Sequence, residues 1–131
     1  MPRVYRAGAV TVPVLPGPRA DWFGVAGWSG LVGTPWTVSS DSNRVGLRLD
    51  GVPLDRLRTG ELPSEGMVRG ALQVPPAGTP VLFLADHPVT GGYPVIAVVA
   101  RHDQDRMGQV PVGGRVRFRA VSPGAGAPGP A

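Results

Sequence analysis

The sequence predicts a mainly β protein, a closed β-barrel with one or two short helices. Its 131 residues are enough for one domain with a hydrophobic core of its own. Glycine and proline together make 36 of them, 20 and 16 respectively, and they separate short apolar runs that are rich in β-branched residues. Eight or nine such runs joined by turns are typical of many short strands, and a barrel closes such a sheet without leaving free edges.

The first half of the chain contains four predicted strands and one predicted helix. The strands are Val4–Ala7, Ala9–Leu15, Trp36–Ser39 and Arg44–Leu49. The second of them carries a proline, which lacks a backbone N–H, so we expect it at an edge. The helix is predicted at Asp21–Val32 with Asp21 as its N-cap, although the three glycines in that span make it a poor helix former. Its inward residues are predicted to be Phe23, Ala26 and Leu31.

The second half contains further predicted strands and ends in a tail. The strands lie within Met67–Val74, Val81–Ala85, Val95–Ala100 and Arg115–Arg119, and Asp103–Met107 is predicted to be one helical turn. Val81–Ala85 and Val95–Ala100 are continuous apolar runs, so we expect them to be paired core strands. From Ser122 onward no apolar side chain is larger than alanine. We therefore predict a folded domain over residues 1–120 and a disordered tail over residues 121–131.

Composition excludes several kinds of chemistry. The chain has no cysteine and no lysine, and all 13 basic residues are arginine. Disulfides, a thiolate nucleophile, Schiff-base catalysis, a Walker-type phosphate lysine and attachment of biotin to this chain are therefore excluded. Its two histidines, His87 and His102, are too few for a zinc site made by this protein alone, so we expect no metal centre.

The net charge of +4 gives little support to nucleic-acid binding. The one local cluster of arginines alternates with apolar residues, which is typical of the solvated face of a half-buried strand, and no stacking motif accompanies it. Its members are Arg115, Arg117 and Arg119. There is no apolar segment of transmembrane length and no pattern of a signal peptide. We therefore expect a cytoplasmic protein that binds neither nucleic acid nor membranes.

The loop between the two apolar runs is the first candidate site. It carries Asp86, Thr90, Gly91, Gly92 and Tyr93 between strands that would hold it rigidly. Two consecutive glycines allow close backbone approach and positive φ. A carboxylate at the end of a buried strand either caps backbone amides or transfers protons, and the sequence alone leaves both roles open.

Three further candidates lie outside this loop. Asn43 and Arg44 either form a turn or bind a carboxylate or amide, since the guanidinium fork fits planar anions. Glu65 is a candidate general base or hydrogen-bond acceptor, with an ordinary surface carboxylate as the alternative. Its neighbour Ser64 lacks a surrounding GxSxG motif and is better explained as a turn former than as a nucleophile. Gln73 faces either solvent or a pocket.

Several segments together resemble one family, the allophanate hydrolase subunit 2-like or biotin-dependent carboxyltransferase-like family. They are LPGPRADWF (Leu15–Phe23), SDSNRVGLRLDG (Ser40–Gly51), GELPSEG (Gly60–Gly66), GALQVPPAGTPVLFLADHPVTGGYPVIAVV (Gly70–Val99) and DRMGQVPVGGRVRF (Asp105–Phe118). The family includes one subunit of bacterial 5-oxoprolinase and KipA-like antagonists of a kinase inhibitor. The resemblance covers about residues 10–119 and implies a cyclophilin-like closed β-barrel.

The resemblance also implies an activity and partners. Such proteins act on a small-molecule substrate together with a second cyclophilin-like subunit and a lactam-hydrolase subunit, in a complex that uses ATP to open 5-oxoproline to glutamate. Related regions transfer a carboxyl group to urea. The resemblance implies that Arg44 holds the substrate carboxylate, that Asp86 relays a proton, and that the Gly91 and Gly92 amides line an oxyanion or phosphate site. The other family positions that this chain matches are Asn43, Glu65, Gln73, Thr90 and Tyr93.

Two departures from the family define an alternative. This chain has Pro88 and Val89 where relatives carry a glutamine and a threonine, which removes two hydrogen-bonding groups. A preceding half with an AGPLTTVQDLGR-like signature is also absent, so we expect the isolated chain to be inactive. It is then a truncated piece, one product of a split gene, or a half that has lost catalysis. The alternative to a role in an enzyme complex is a non-catalytic, KipA-like binding module.

Overall fold

Nine short strands build the protein in the computed structural model, which describes residues 10–60 and 62–121. In chain order they are β1 (Val10–Pro16), β2 (Trp36–Val38), β3 (Gly46–Asp50), β4 (Glu65–Gly66), β5 (Ala71–Gln73), β6 (Val81–Phe83), β7 (Thr90–Gly91), β8 (Val95–Val99) and β9 (Arg115–Ala120). Seven of them close a barrel in the order β1-β8-β5-β6-β3-β2-β9, while β4 and β7 pair with each other. The predicted closed β-barrel is confirmed.

The barrel closes through a parallel pair. Val10 of β1 lies opposite Val116 of β9, whereas the other neighbouring strands of the barrel run antiparallel. Because successive side chains of a strand point to opposite faces, alternate residues of most strands fill the interior. In β8, where the register with β5 shifts, the consecutive residues Ile96 and Ala97 both belong to the core. The strand residues of this interior core are Val12, Val14, Trp36, Val38, Leu47, Leu49, Leu72, Leu82, Ile96, Ala97, Val99, Val116 and Phe118.

Two helices accompany the barrel, α1 (Gly24–Gly33) and α2 (Gln104–Gly108), each preceded by a 3₁₀ turn. The predicted first helix exists but begins later than expected, because Asp21 lies in the 3₁₀ turn Ala20–Trp22 and does not cap it. Phe23 and Leu31 are buried as predicted, but Ala26 is exposed, so that part of the prediction is wrong. The buried residue between them is Gly27, because a four-residue spacing keeps one helix face against the barrel.

Helix α1 is attached to the barrel by a buried tryptophan. The indole Nε1 of Trp36 on β2 donates a hydrogen bond of 3.0 Å to the carbonyl oxygen of Leu31. Leu31 and Trp36 are both fully buried, so the polar end of the indole is paired while its apolar body fills the core. This contact fixes the helix against the start of β2.

Most predicted strands are confirmed, although their bounds differ by a few residues, but two expectations are wrong. The strand β1, expected at an edge because of its proline, has a neighbour on each side, β8 and β9. The two apolar runs that were expected to pair with each other form β6 and β8. These strands are not neighbours, since β5 lies between them and pairs with both. A continuous apolar run indicates burial on both faces, but it carries no information about the partner strand. The predicted strand Val4–Ala7 and the tail from Ser122 lie outside the described residues. Among those described, neither helix has the length and apolar character needed to cross a bilayer.

Candidate functional site

A small two-stranded sheet lies on the outside of the barrel. In it β4 and β7 run antiparallel, with Glu65 opposite Gly91 and Gly66 opposite Thr90. The backbone N–H of Met67 extends the pairing by donating to the carbonyl oxygen of Val89 over 2.9 Å. We call residues 65–68 and 89–92 the flap. Its two segments contain the largest share of the predicted site residues.

The flap covers a second hydrophobic cluster that is separate from the barrel core. Met67 of the flap packs there against apolar residues from the outer face of three neighbouring strands. These residues are Ala71 on β5, Val81 and Phe83 on β6, and Val95 on β8, and we call them the floor. Their neighbours Leu72 and Leu82 point the other way, into the barrel. The flap therefore keeps an apolar outer face of the sheet dry.

Gln73 lies between the floor and the flap and is only 7% exposed. A Cβ atom placed on Gly91 would be 2.7 Å from Nε2 of Gln73 and 3.2 Å from Cγ of Met67. The glycine at this position lets the flap backbone approach while the Gln73 amide and the Met67 side chain keep these places. Of the two environments that the sequence left open for Gln73, the structure shows the buried one.

Glu65 is held by an arginine that no sequence motif indicated. The guanidinium of Arg19 contacts both carboxylate oxygens of Glu65, with Nε donating to Oε1 over 3.4 Å and Nη2 making a shorter bond to Oε2. The two side chains are 35% and 26% exposed. This hydrogen bond raises the pKa of the Arg19 guanidinium. Arg19 stands in the segment LPGPRADWF, but nothing in its spacing connects it with a residue 46 positions away.

Asp86 and Arg44 meet at a different place, where β6 ends and β3 begins. Nε of Arg44 lies 3.6 Å from Oδ2 of Asp86, and the side chains are 92% and 57% exposed. The neighbouring Asn43 accepts hydrogen bonds through Oδ1 from the backbone N–H groups of Val45 (2.8 Å) and Gly46 (3.2 Å). Asn43 therefore forms the predicted turn, and this turn presents the Arg44 guanidinium to solvent.

The remaining candidates lie on or next to the flap. Thr90, Gly92 and Tyr93 are exposed. A Cβ atom on Gly92 would meet nothing closer than the carbonyl oxygen of Leu62 at 3.7 Å, so the two consecutive glycines differ in their surroundings. Neither of them adopts a positive φ. Close approach explains the glycine at 91, whereas the expected left-handed conformation is absent from both positions.

The predicted residues thus form two groups. Glu65, Gln73 and Gly91 meet at the flap, near the start of β6, where Gln73 lies opposite Val81. Arg44 and Asp86 meet beyond the other end of β6. The first group contains the Glu65 carboxylate and the Gln73 amide, which are partly or fully buried. The second group contains the oppositely charged side chains of Arg44 and Asp86, which are exposed to solvent. Together they have the polar groups that recognise carboxylates and amides.

Both histidines are used in local contacts. The ring of His87 stacks on Phe83 with centroids 6.1 Å apart, and its Nδ1 lies 2.6 Å from the carbonyl oxygen of Pro88. His102 lies beside Asp103, with 3.5 Å between Nε2 and Oδ2. Within residues 10–60 and 62–121, no three His, Cys, Asp or Glu side chains converge so that they could hold a metal ion.

A family model and two named relatives match this chain. The model is that of the carboxyltransferase domain, subdomain A and B, and it matches residues 2–120. A 5-oxoprolinase subunit of Escherichia coli strain K12 is 39% identical over 107 residues, which are 82% of this chain and 34% of that protein. The protein of the same name from Haemophilus influenzae is 41% identical over 87 residues, 66% of this chain and 28% of the relative.

Solved structures show the same fold. A crystal structure of TTHA0988 superposes with a TM-score of 0.73 at 33% identity, covering 91% of this chain and 23% of that one. The urea amidolyase of Kluyveromyces lactis superposes with a TM-score of 0.79 at 26% identity, covering 87% of this chain and 8% of that one. The chain therefore spans about a third of the length of its named relatives and a smaller share of these larger proteins.

Proposed function

The chain belongs to the family of the carboxyltransferase domain, subdomain A and B, and we propose that it works as one part of a 5-oxoprolinase-type complex. The observation that carries the proposal is its 39% identity, over 82% of its length, to a protein named as a subunit of 5-oxoprolinase. Because the chain spans only 34% of that relative, we propose that it acts together with further protein parts. These are a second cyclophilin-like subunit and a lactam-hydrolase subunit.

The proposed reaction opens the lactam of 5-oxoproline to give glutamate. The amide C–N bond breaks, water supplies a hydroxyl to the carbonyl carbon, and the nitrogen takes up a proton. An amide resists such attack, so the proposed complex uses ATP to activate the lactam. This chain has no lysine, so arginine side chains are the permanently charged donors that it offers to phosphate, beside its backbone N–H groups and neutral polar side chains.

The two groups of polar residues support a division of roles. We assign to Arg44 the binding of the substrate carboxylate, since its guanidinium is solvent-exposed and its fork fits a planar anion. Asp86, within 3.6 Å of Arg44, is assigned the relay of a proton. On the flap, Glu65 is assigned as hydrogen-bond acceptor or base, and the backbone of Gly91 and Gly92 is assigned to a developing oxyanion. Asn43, Gln73, Thr90 and Tyr93 complete the proposed substrate-binding set.

One observation favours the alternative of a non-catalytic, KipA-like binding module. Apolar side chains are exposed on the flap and beside it, with Val89 81% exposed and Val68 56% exposed. Tyr93 follows the flap and is 44% exposed. Apolar residues grouped in this way are typical of protein-binding surfaces. In this alternative the flap contacts a regulatory protein, and Arg44 and Asp86 are dispensable.

Copurification followed by an activity assay separates the two functions. The tagged chain is recovered from its native host, its partners are identified by mass spectrometry, and the recovered complex is assayed for ATP hydrolysis that depends on 5-oxoproline. Partner subunits and lactam-dependent hydrolysis support the enzyme complex. ATP hydrolysis that depends on urea and not on 5-oxoproline would transfer the assignment to a carboxyltransferase. Recovery of only a kinase-linked regulator, bound equally well by the Arg44→Ala and Asp86→Asn variants, would favour the binding module.

A further inference from the structure

The flap depends on contacts beyond its own two strands. Each strand contributes only two residues, Glu65–Gly66 and Thr90–Gly91. An isolated two-stranded sheet is marginally stable in water even when its strands are longer. Met67 supplies one anchor, because its side chain is buried in the floor. A second side-chain anchor, which reaches the body of the barrel, is the ion pair of Glu65 with Arg19.

Arg19 is held rigidly on the barrel side of this pair. After β1 the chain bends across β8, where the N–H groups of Gly17 and Arg19 donate to the carbonyl oxygens of Ile96 (2.8 Å) and Val95 (3.1 Å). A Cβ atom on Gly17 would lie 2.6 Å from the carbonyl oxygen of Val95. Glycine is therefore required for this approach, which sets the position from which the Arg19 side chain begins.

The pair has the geometry of an oriented contact. Two nitrogens of one guanidinium face two oxygens of one carboxylate, which fixes direction as well as distance. Both side chains are partly buried, so water screens this pair less than the exposed pair of Arg44 and Asp86. A bond of this kind restricts how the flap lies over Gln73.

We propose that Arg19 is a positioning residue that latches the flap over the floor. When the pair with Glu65 breaks, the flap lifts and uncovers Gln73 and the apolar residues around it. The site at Gln73 is then reached by opening of the flap, and the pair of Arg19 with Glu65 sets how often this happens. The inference does not depend on the proposed 5-oxoprolinase activity, because it concerns only contacts within this chain.

Hydrogen–deuterium exchange of the purified chain tests the latch. The reporter is the backbone N–H of Met67, which is bonded across the flap to Val89. Exchange through local opening follows the population of the open state, so Arg19→Met should speed exchange in the flap by about fivefold. Exchange in β5 and β8 should stay as in the unaltered chain. Arg19→Lys keeps the charge but loses the fork, and we expect an intermediate effect.

Two matched variants separate a latch from general destabilisation. Arg106→Met removes another arginine that pairs with a carboxylate, Asp103, within the segment 101–108 and not on the flap. It should leave flap exchange unchanged. Exchanging the charges by combining Arg19→Glu with Glu65→Arg should restore protection of the flap relative to either single change. Unchanged flap exchange in Arg19→Met, an equal increase in flap and barrel, or a failure of the exchanged pair to restore protection would each overturn the inference.

Discussion

The side-chain amide of Gln73 lies directly beneath the backbone of Gly91, where main-chain atoms of the flap come close to the outer face of the sheet. A side chain at position 91 would displace the amide of Gln73 from its place, since a Cβ atom there would approach Nε2 to 2.7 Å. The close approach buries Gln73, which is otherwise a polar residue on the outer face of a strand. The steric contact with Gln73 therefore explains why position 91 is occupied by glycine.

The flap contact predicts different outcomes for two neighbouring glycines. Gly91→Ala should lower the free energy of unfolding by about 1–3 kcal/mol, because the added methyl group overpacks the contact with Gln73 and Met67. Gly92→Ala should change it by no more than about 0.5 kcal/mol, since its Cβ would have open space. Urea unfolding of both variants measures the difference. Equal effects at the two positions would contradict the packing described for Gly91.

The turn at Asn43 predicts a loss of stability when its side-chain oxygen is removed. Asn43→Ala removes the acceptor for the N–H groups of Val45 and Gly46, and should cost about 1 kcal/mol in the free energy of unfolding. Asn43→Asp keeps an acceptor oxygen in the same place and should retain most of the stability. Thermal unfolding distinguishes the two variants. If Asn43→Ala unfolds like the unaltered chain, the two hydrogen bonds contribute nothing to the turn.

Asp86 is expected to matter for turnover and not for folding. Asp86→Asn should lower the rate of lactam-dependent ATP hydrolysis by the complex by about 10²–10⁴-fold, as expected when a positioned proton-transfer group is removed. The midpoint of thermal unfolding should stay unchanged, because the side chain is exposed and its pair with Arg44 is long. Asp41→Asn, at another exposed carboxylate, serves as the control. Full activity of Asp86→Asn would remove Asp86 from the mechanism.

Arg44 is expected to affect substrate binding more than the chemical step. If its guanidinium binds the substrate carboxylate, Arg44→Gln should raise KM for 5-oxoproline by about tenfold or more, with a smaller change in kcat. The KM of Arg44→Lys should lie between those of the unaltered chain and Arg44→Gln, because lysine keeps the positive charge but lacks the planar guanidinium fork. Steady-state kinetics of the reconstituted complex measures both constants. An unchanged KM in both variants would place the substrate carboxylate elsewhere.

The sequence predicted the barrel well because its signals are local. Short apolar runs between glycines and prolines locate strands, and the alternation in Arg115–Ala120 correctly indicated one buried and one solvated face. The pairing predicted for β6 was wrong because apolar content indicates that a strand is buried and does not indicate which strands lie beside it. The inward position expected for Ala26 was wrong because the helix begins at Gly24 and its buried face follows a spacing of four residues.

The candidate site was predictable in its residue types and not in its arrangement. Glu65, Gln73 and Gly91 were selected separately, and the structure brings them together through strands of two or three residues, too short to produce a periodic pattern. Arg19 was missed because its partner Glu65 lies 46 positions along the chain. A contact of that separation arises only when β1, β8 and the flap are already in place.

The parallel pairing of β1 with β9 makes the order of synthesis matter. Val10 is among the first barrel residues to leave a ribosome, and its partner Val116 is among the last. Until β9 emerges, β1 and β2 each present an unpaired backbone edge, and such edges promote association with other chains. Contacts between residues so distant in sequence also form slowly. A nascent chain paused before residue 115 therefore carries a gap in its sheet, where shielding by a chaperone would have the most effect.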